Sequence, residues 1–209
     1  GLLSKSIKEY EYRKNQYDFA VDCAKNAEES SVLIAEADTG IGKTFAYIIA
    51  TLLNTKKNKI LISSSTHNLQ NQLFYKDIPI IAKILNIDIK ATIAKGMNNY
   101  LCKNRINKTI ENVSNIFDSK EILEFMSLIV WSQITNTGDI SECNSFKIKN
   151  NEKIWSFVKY ESESCMIAPA NHFNDCFYQV MVKETKSSNI LIVNHALLAS
   201  SLEKNETFI

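Results

Sequence analysis

Glycine and proline are scarce in this chain, 5 and 2 among 209 residues. No stretch is rich enough in either to serve as a flexible linker, and no low-complexity segment or internal repeat is present. Long apolar runs are missing too: none approaches the roughly 18 residues a membrane-spanning helix needs, so no membrane partner is expected. The first residues, Gly1-Leu2-Leu3-Ser4-Lys5, lack the apolar run and small-residue cleavage site of a secretory signal, and the expected location is the cytoplasm. Excess charge of one sign is absent, with 24 basic against 23 acidic residues and a net +1. That balance excludes no partner, because a neutral protein can carry a locally basic groove. Without a secretory signal, the five cysteines read as buried thiols or metal ligands rather than disulfides.

What is present suits a folded core. At 45% hydrophobic composition, the chain fits one domain, or one domain carrying an insertion. It begins with Gly1 and stops in the apolar run Thr207-Phe208-Ile209, which leads to the expectation of a piece of a longer protein.

Short apolar runs alternate with amphipathic stretches in the first half, the pattern of an α/β fold around a parallel sheet. Strands are expected at residues 31–35, 59–63, 87–94 and 189–193, and helices at 43–53, at 68–76 and from 194 onward. Between Lys95-Gly96 and about Tyr178 the strand signal gives way to a helical patch at 119–132 and polar loops. These changes divide the chain into residues 1–95, an inserted helical subdomain over 96–180, and a return to the first domain over 181–209.

The strongest motif is Ala37-Asp38-Thr39-Gly40-Ile41-Gly42-Lys43-Thr44. A strand that hands over to a helix through a glycine-rich turn aims backbone N–H groups and the helix's positive end at one anion. Gly40 and Gly42 permit close approach of phosphate, Lys43 supplies a cation for the β/γ-phosphates, and the Thr44 hydroxyl is placed to ligate Mg²⁺. Ala37 stands where the formal pattern wants glycine. Upstream, Arg13 and Gln16 in Tyr12-Arg13-x-x-Gln16 carry donors and an acceptor suited to an adenine edge, although a solvated helix face explains them equally well. Cys23 reads as a core thiol of that first helix.

Together these residues resemble the DinG/XPD family of superfamily-two helicases. Tyr12-Arg13-x-x-Gln16 is similar to that family's adenine motif, and residues 36–44 to its phosphate loop, with Asp38 and Ile41 departing from the usual residues. Ser64-Ser65-Thr66-His67-Asn68-Leu69-Gln70-x-Gln72-Leu73 resembles motif Ia, which touches the DNA backbone, and so implies DNA contacts at Thr66, His67 and Gln70. Lys95-Gly96-Met97-Asn98-Asn99-Tyr100-Leu101-Cys102, Thr137-Gly138-Asp139-Ile140 and residues 192–198 sit where the family has similar strings. The resemblance implies a RecA-like P-loop NTPase sheet with an inserted helical iron–sulfur subdomain. It implies ATP and Mg²⁺ as cofactors, with Arg13, Gln16, Ala37, Thr39, Gly40, Ile41, Gly42, Lys43 and Thr44 around the nucleotide, and single-stranded DNA as the partner.

In that family four cysteines hold a 4Fe-4S cluster. Cys102, Cys165 and Cys176 match three of them, and Ala170 stands at the remaining position. The fourth ligand is open to Cys143, His172 or Asp175. The alternatives are a three-iron cluster, or a decayed site of buried thiols. Nowhere in the 209 residues does an apolar strand end in the Asp-Glu pair that holds Mg²⁺ and orients the attacking water. The expected function is therefore the N-terminal portion of an ATP-dependent DNA helicase, inactive as this piece and moving 5′ to 3′ in the whole protein. A non-catalytic nucleotide- and nucleic-acid-binding or redox-sensing module is the alternative.

Overall fold

The computed structural model describes residues 11–29, 31–38, 40–54, 59–163 and 175–203. They form two compact units, one of described residues up to Ile93 and from Ser187 onward, the other spanning Ala94–Lys186.

The first unit is a parallel sheet with helices. Its strands β1 (Ile60–Ser64), β2 (Ala91–Ile93) and β3 (Ile190–Asn194) lie in the order β1-β3-β2. Both pairings are parallel, with Ile60 beside Ile190, Ser64 beside Asn194, and Ile93 beside Ile192. The central strand β3 is buried from Ile190 to Val193, which is why it reads as an unbroken apolar run rather than an alternating one. Ile48, Ile60, Ile62, Leu73, Ile78, Ile81, Ile190 and Ile192 form the core. Each such side chain stabilises the fold by about 1.5–3 kcal/mol on burial.

Helix α1 (Lys14–Glu29) packs along α2 (Lys43–Asn54). None of its residues is fully buried, so Cys23, expected in the core, is only half-buried. After β1 the chain enters one continuous helical run: α3 (His67–Gln72), a π-helical turn (Leu73–Asp77) and α4 (Ile78–Leu85). The run is longer than the helix expected at 68–76. It ends where Asn86 adopts φ 53°, a left-handed conformation that asparagine tolerates better than most residues.

Residues 31–35 form no strand, against the sequence expectation. A strand needs hydrogen-bonded neighbours along its edges, and among the described residues this segment has none. Val32 is 89% and Ile34 93% exposed.

The second unit is helical: α5 (Lys103–Glu111), α6 (Val113–Ile116), α7 (Ser119–Ile134), α8 (Glu152–Val158) and α9 (Phe177–Ser187), the last ending at the unit's edge. Its β structure among the described residues is limited to single antiparallel bridges, Tyr100 with Asp139 and Leu101 with Lys159. A capping box starts α7: Asp118 Oδ1 accepts from the Lys120 and Glu121 N–H groups at 2.9 Å, and Glu121 accepts from the Asp118 N–H at 3.0 Å. Phe125, Leu128 and Trp131 of α7 are buried, and Phe117 stacks against Phe125 and Phe157 with centroids 5.3 and 5.5 Å apart. After α9 the chain continues to β3, and α10 (His195–Glu203) follows that strand.

Candidate nucleotide and nucleic-acid site

Lys43 is the first residue of α2, so the loop 37–42 ends at a helix N-terminus. Gly40 and Gly42 have φ of +84° and +88°, values open to glycine at little steric cost. The Lys43 ammonium folds back onto the loop, donating to the Ala37 carbonyl and, at 2.8 Å, to that of Asp38. The Arg13 guanidinium donates to the Gly40 carbonyl, and Gln16 Nε2 to the Gly42 carbonyl at 3.0 Å. A cleft beside the loop is lined by Asp18, Asp22, Glu36 and Asp38, with Phe19 and Ile41. Thr39 lies outside the described residues.

Thr44 has a neighbour that the sequence did not suggest. Tyr47, one helical turn along α2, shares a side-chain hydrogen bond with it. Burial pushes the Tyr47 phenol up; the Thr44 bond opposes that shift and the charge of Asp77 reinforces it. Asp77 is itself buried and accepts from Gln72 Nε2 at 3.1 Å. The one-turn spacing of Thr44 and Tyr47 was a usable signal. Nothing local flags Asp77, which belongs to the π turn.

The carboxyl ends of β1 and β3 lie side by side, the edge at which parallel sheets receive ligands. Thr66 caps α3 by accepting from the Leu69 N–H at 3.3 Å, and Asn194 Oδ1 accepts from the Leu197 N–H at 2.6 Å at the start of α10. Ser63 Oγ meets His195 Nδ1 at 2.7 Å and joins the two strand ends. Thr66 and His67 are exposed. Gln70, expected to face DNA, is instead fully buried: its Oε1 meets His67 Nδ1 at 3.1 Å, and among the described residues its Nε2 has no hydrogen-bond partner. One turn into α3, it holds the His67 ring through that contact.

In the helical unit, Cys102, Cys143 and Cys176 are buried, and Asp175 is exposed. Cys102 and Cys176 immediately precede α5 and α9, whose starts meet where the Lys103 ammonium lies 4.7 Å from the centroid of the Phe177 ring. Cys143 Sγ sits 3.5 Å from Ser145 Oγ. Cys165 and His172 lie outside the described residues. Among the described residues no three Cys, His, Asp or Glu side chains form a group that could hold a metal ion. The described donors alone do not fit an iron–sulfur cluster.

A parallel α/β sheet with a glycine turn feeding a helix fits a RecA-like fold. The family model for DEAD/DEAH box helicases matches residues 18–135, and the chain belongs to that family. It is 33% identical over 208 residues to the ATP-dependent DNA helicase YoaA of Haemophilus influenzae, covering 99% of this chain and 32% of that protein. To YoaA of Escherichia coli it is 31% identical over 208 residues, with the same coverage of 99% and 32%. To the 3'-5' exonuclease DinG of Bacillus subtilis it is 30% identical over 198 residues, or 94% of this chain and 21% of that protein. The chain thus spans about a third or less of the length of these relatives. Among the described residues no helix is long and apolar enough to cross a membrane.

Proposed function

We propose that this chain is the N-terminal part of the motor of an ATP-dependent DNA helicase, binding Mg²⁺–ATP at residues 37–44 and single-stranded DNA at the carboxyl edge of the sheet. The observation that carries the reading is the turn at Gly40 and Gly42 delivering Lys43 to the start of α2. On binding, the Lys43 ammonium exchanges the Ala37 and Asp38 carbonyls for β/γ-phosphate oxygens, and the Thr44 hydroxyl turns toward the metal. The nucleotide supplies the hydrolysable anhydride, and the metal neutralises the charge that develops on it. The acidic lining of the adjacent cleft favours entry of the metal complex over the bare polyanion. Hydrolysis belongs to the whole protein, because the Asp-Glu pair it needs is not among these residues.

Thr66 and His67, exposed at the start of α3, are the groups proposed to meet DNA phosphates. Residues 1–95 and 181–209 are proposed as one motor domain and 96–180 as its helical insertion. The 5′ to 3′ direction rests on the DinG/XPD resemblance. So does a 4Fe-4S cluster on Cys102, Cys165 and Cys176 with Cys143 or His172, and no step above passes through it.

Fluorescence anisotropy with labelled oligonucleotides tests the DNA half of the proposal. Binding is expected to tolerate any sequence and to fall steeply with salt. Thr66→Ala and His67→Ala, which remove hydrogen-bonding groups other than Lys or Arg, should each weaken binding by about tenfold or less at every sequence and leave the salt slope, which Lys and Arg set, nearly unchanged. Strong preference for one duplex sequence would refute it.

A further inference from the structure

We propose that Tyr47 is a positioning residue for Thr44, the proposed metal ligand, taking the Thr44 hydroxyl proton so that the oxygen's lone pairs are left for Mg²⁺. The inference rests on the nucleotide site proposed above and gives a role to a residue outside the loop itself.

Helix geometry brings the two side chains together. Thr44 and Tyr47 are the second and fifth residues of α2, and residues three apart are neighbours on one helix face. A long side chain on a helix leans toward the N-terminus, over the residue three or four positions before its own. Tyr47 therefore reaches back over the first turn of α2, where its hydroxyl shares the hydrogen bond with Thr44. Its ring packs against the core cluster that includes Leu73 and Ile78. Asp77 lies between those two in sequence, in the π-helical turn, and is buried at 4% exposure with Gln72 Nε2 donating to it at 3.1 Å. Single π turns inside helices are frequent at functional sites.

The direction of the Thr44–Tyr47 bond decides the role. A threonine hydroxyl has one proton and two lone pairs, and a phenol can likewise donate or accept. With the Thr44 proton on the Tyr47 oxygen, both Thr44 lone pairs stay free; with the bond reversed, one of them is occupied. Asp77 favours the first arrangement, because its charge acts on Tyr47 and draws the phenol proton toward the carboxylate, leaving the phenol oxygen to accept. Mg²⁺ at a nucleotide takes one or two protein oxygens, with phosphates and water completing a strict octahedron. The half-buried Thr44 hydroxyl is a donor of that class, and a single ligand held in strict geometry gains from being oriented in advance.

Calorimetric titration of the chain with ATP, in Mg²⁺ and in EDTA, tests the role. Tyr47→Phe keeps the ring and removes only the hydroxyl. It should weaken binding in Mg²⁺ by on the order of tenfold, the usual effect of losing one hydrogen bond. Binding in EDTA should hold at the wild-type level, since Lys43 and the loop N–H groups meet phosphate without the metal. Thr44→Val keeps the side-chain shape and removes the ligand oxygen, and in that background Tyr47→Phe should cause no further loss in Mg²⁺. Circular dichroism should show unchanged helix content in each variant. Unchanged Mg²⁺–ATP affinity in Tyr47→Phe, an equal loss in EDTA, or a full further loss in the Thr44→Val background would each overturn the inference and leave the nucleotide site standing. A wild-type chain that does not bind Mg²⁺–ATP would overturn the site and the inference with it.

Discussion

Lys95 and Asp139, 44 residues apart, form a buried ion pair inside the helical unit, with side chains only 4% and 11% exposed. Ser141 Oγ accepts a further bond from the same ammonium at 2.6 Å, and Asp139 Oδ1 accepts from the Ser141 N–H at 3.0 Å. The backbone follows the same seam, with the Leu101 N–H on the Gly138 carbonyl at 2.8 Å. Two of the strings that carry the family resemblance are thus one structural joint, and Cys102 is the residue immediately after it. Burial, reinforced by the Asp139 charge, pushes the Tyr100 phenol upward and keeps it protonated beside the pair.

Breaking one side of that pair leaves a buried charge without its partner. Lys95→Met or Asp139→Leu alone should cost about 3–5 kcal/mol, whereas the double replacement should cost clearly less than the sum. Urea denaturation followed by circular dichroism measures the cycle. Additive costs would show that the two charges do not depend on each other.

Legibility in the sequence followed how local each cause is. The run at Ile190–Asn194 was readable because a strand buried on both faces must be apolar throughout, and Ile60–Ser64 because it is rich in isoleucine and leucine, although Leu61 is exposed. The run at residues 31–35 is just as apolar and forms no strand, since pairing depends on a neighbour that composition cannot supply. The start of α2 at Lys43 was visible in the glycine turn. Arg13 and Gln16 stood out as hydrogen-bonding residues, but the carbonyls they meet lie 27 and 26 residues away. The motif Ia resemblance put Gln70 against DNA, yet the helix turns it inward. The π turn that buries Asp77 has no sequence signature of its own.

The capping box of α7 gives a pH dependence of defined sign. The hydrogen bond from Lys153, and next that from the Asp118 N–H, hold the Glu121 carboxyl below its usual range. A lowered folded pKa contributes stability above the unfolded value, near 4.3 for Glu, and that contribution disappears as pH falls through the folded pKa. Glu121→Gln should therefore lower the melting temperature at neutral pH, and the gap from wild type should close in acid. A gap independent of pH would contradict the assignment.

Iron binding is testable residue by residue. The described thiols do not assemble a metal group, so any cluster built on Cys102 and Cys176 depends on Cys165. Protein purified without oxygen is expected to be brown with iron and sulfide present and to lose both in Cys165→Ser, while loss in Cys143→Ser assigns the fourth position to Cys143 and retention assigns it to His172. Ala170→Cys should deepen the colour. A colourless anaerobic preparation lacking iron would show these cysteines to be packing residues.

Isothermal calorimetry with ATP and Mg²⁺ reads whether the loop at residues 37–44 holds a triphosphate through Lys43. Lys43 is the loop's own cation and bonds the Ala37 and Asp38 carbonyls that phosphate would replace. Lys43→Ala should abolish measurable binding, or weaken it at least about a hundredfold, the higher end for a hydrogen-bonded charge. Equal affinity in mutant and wild type would contradict the account.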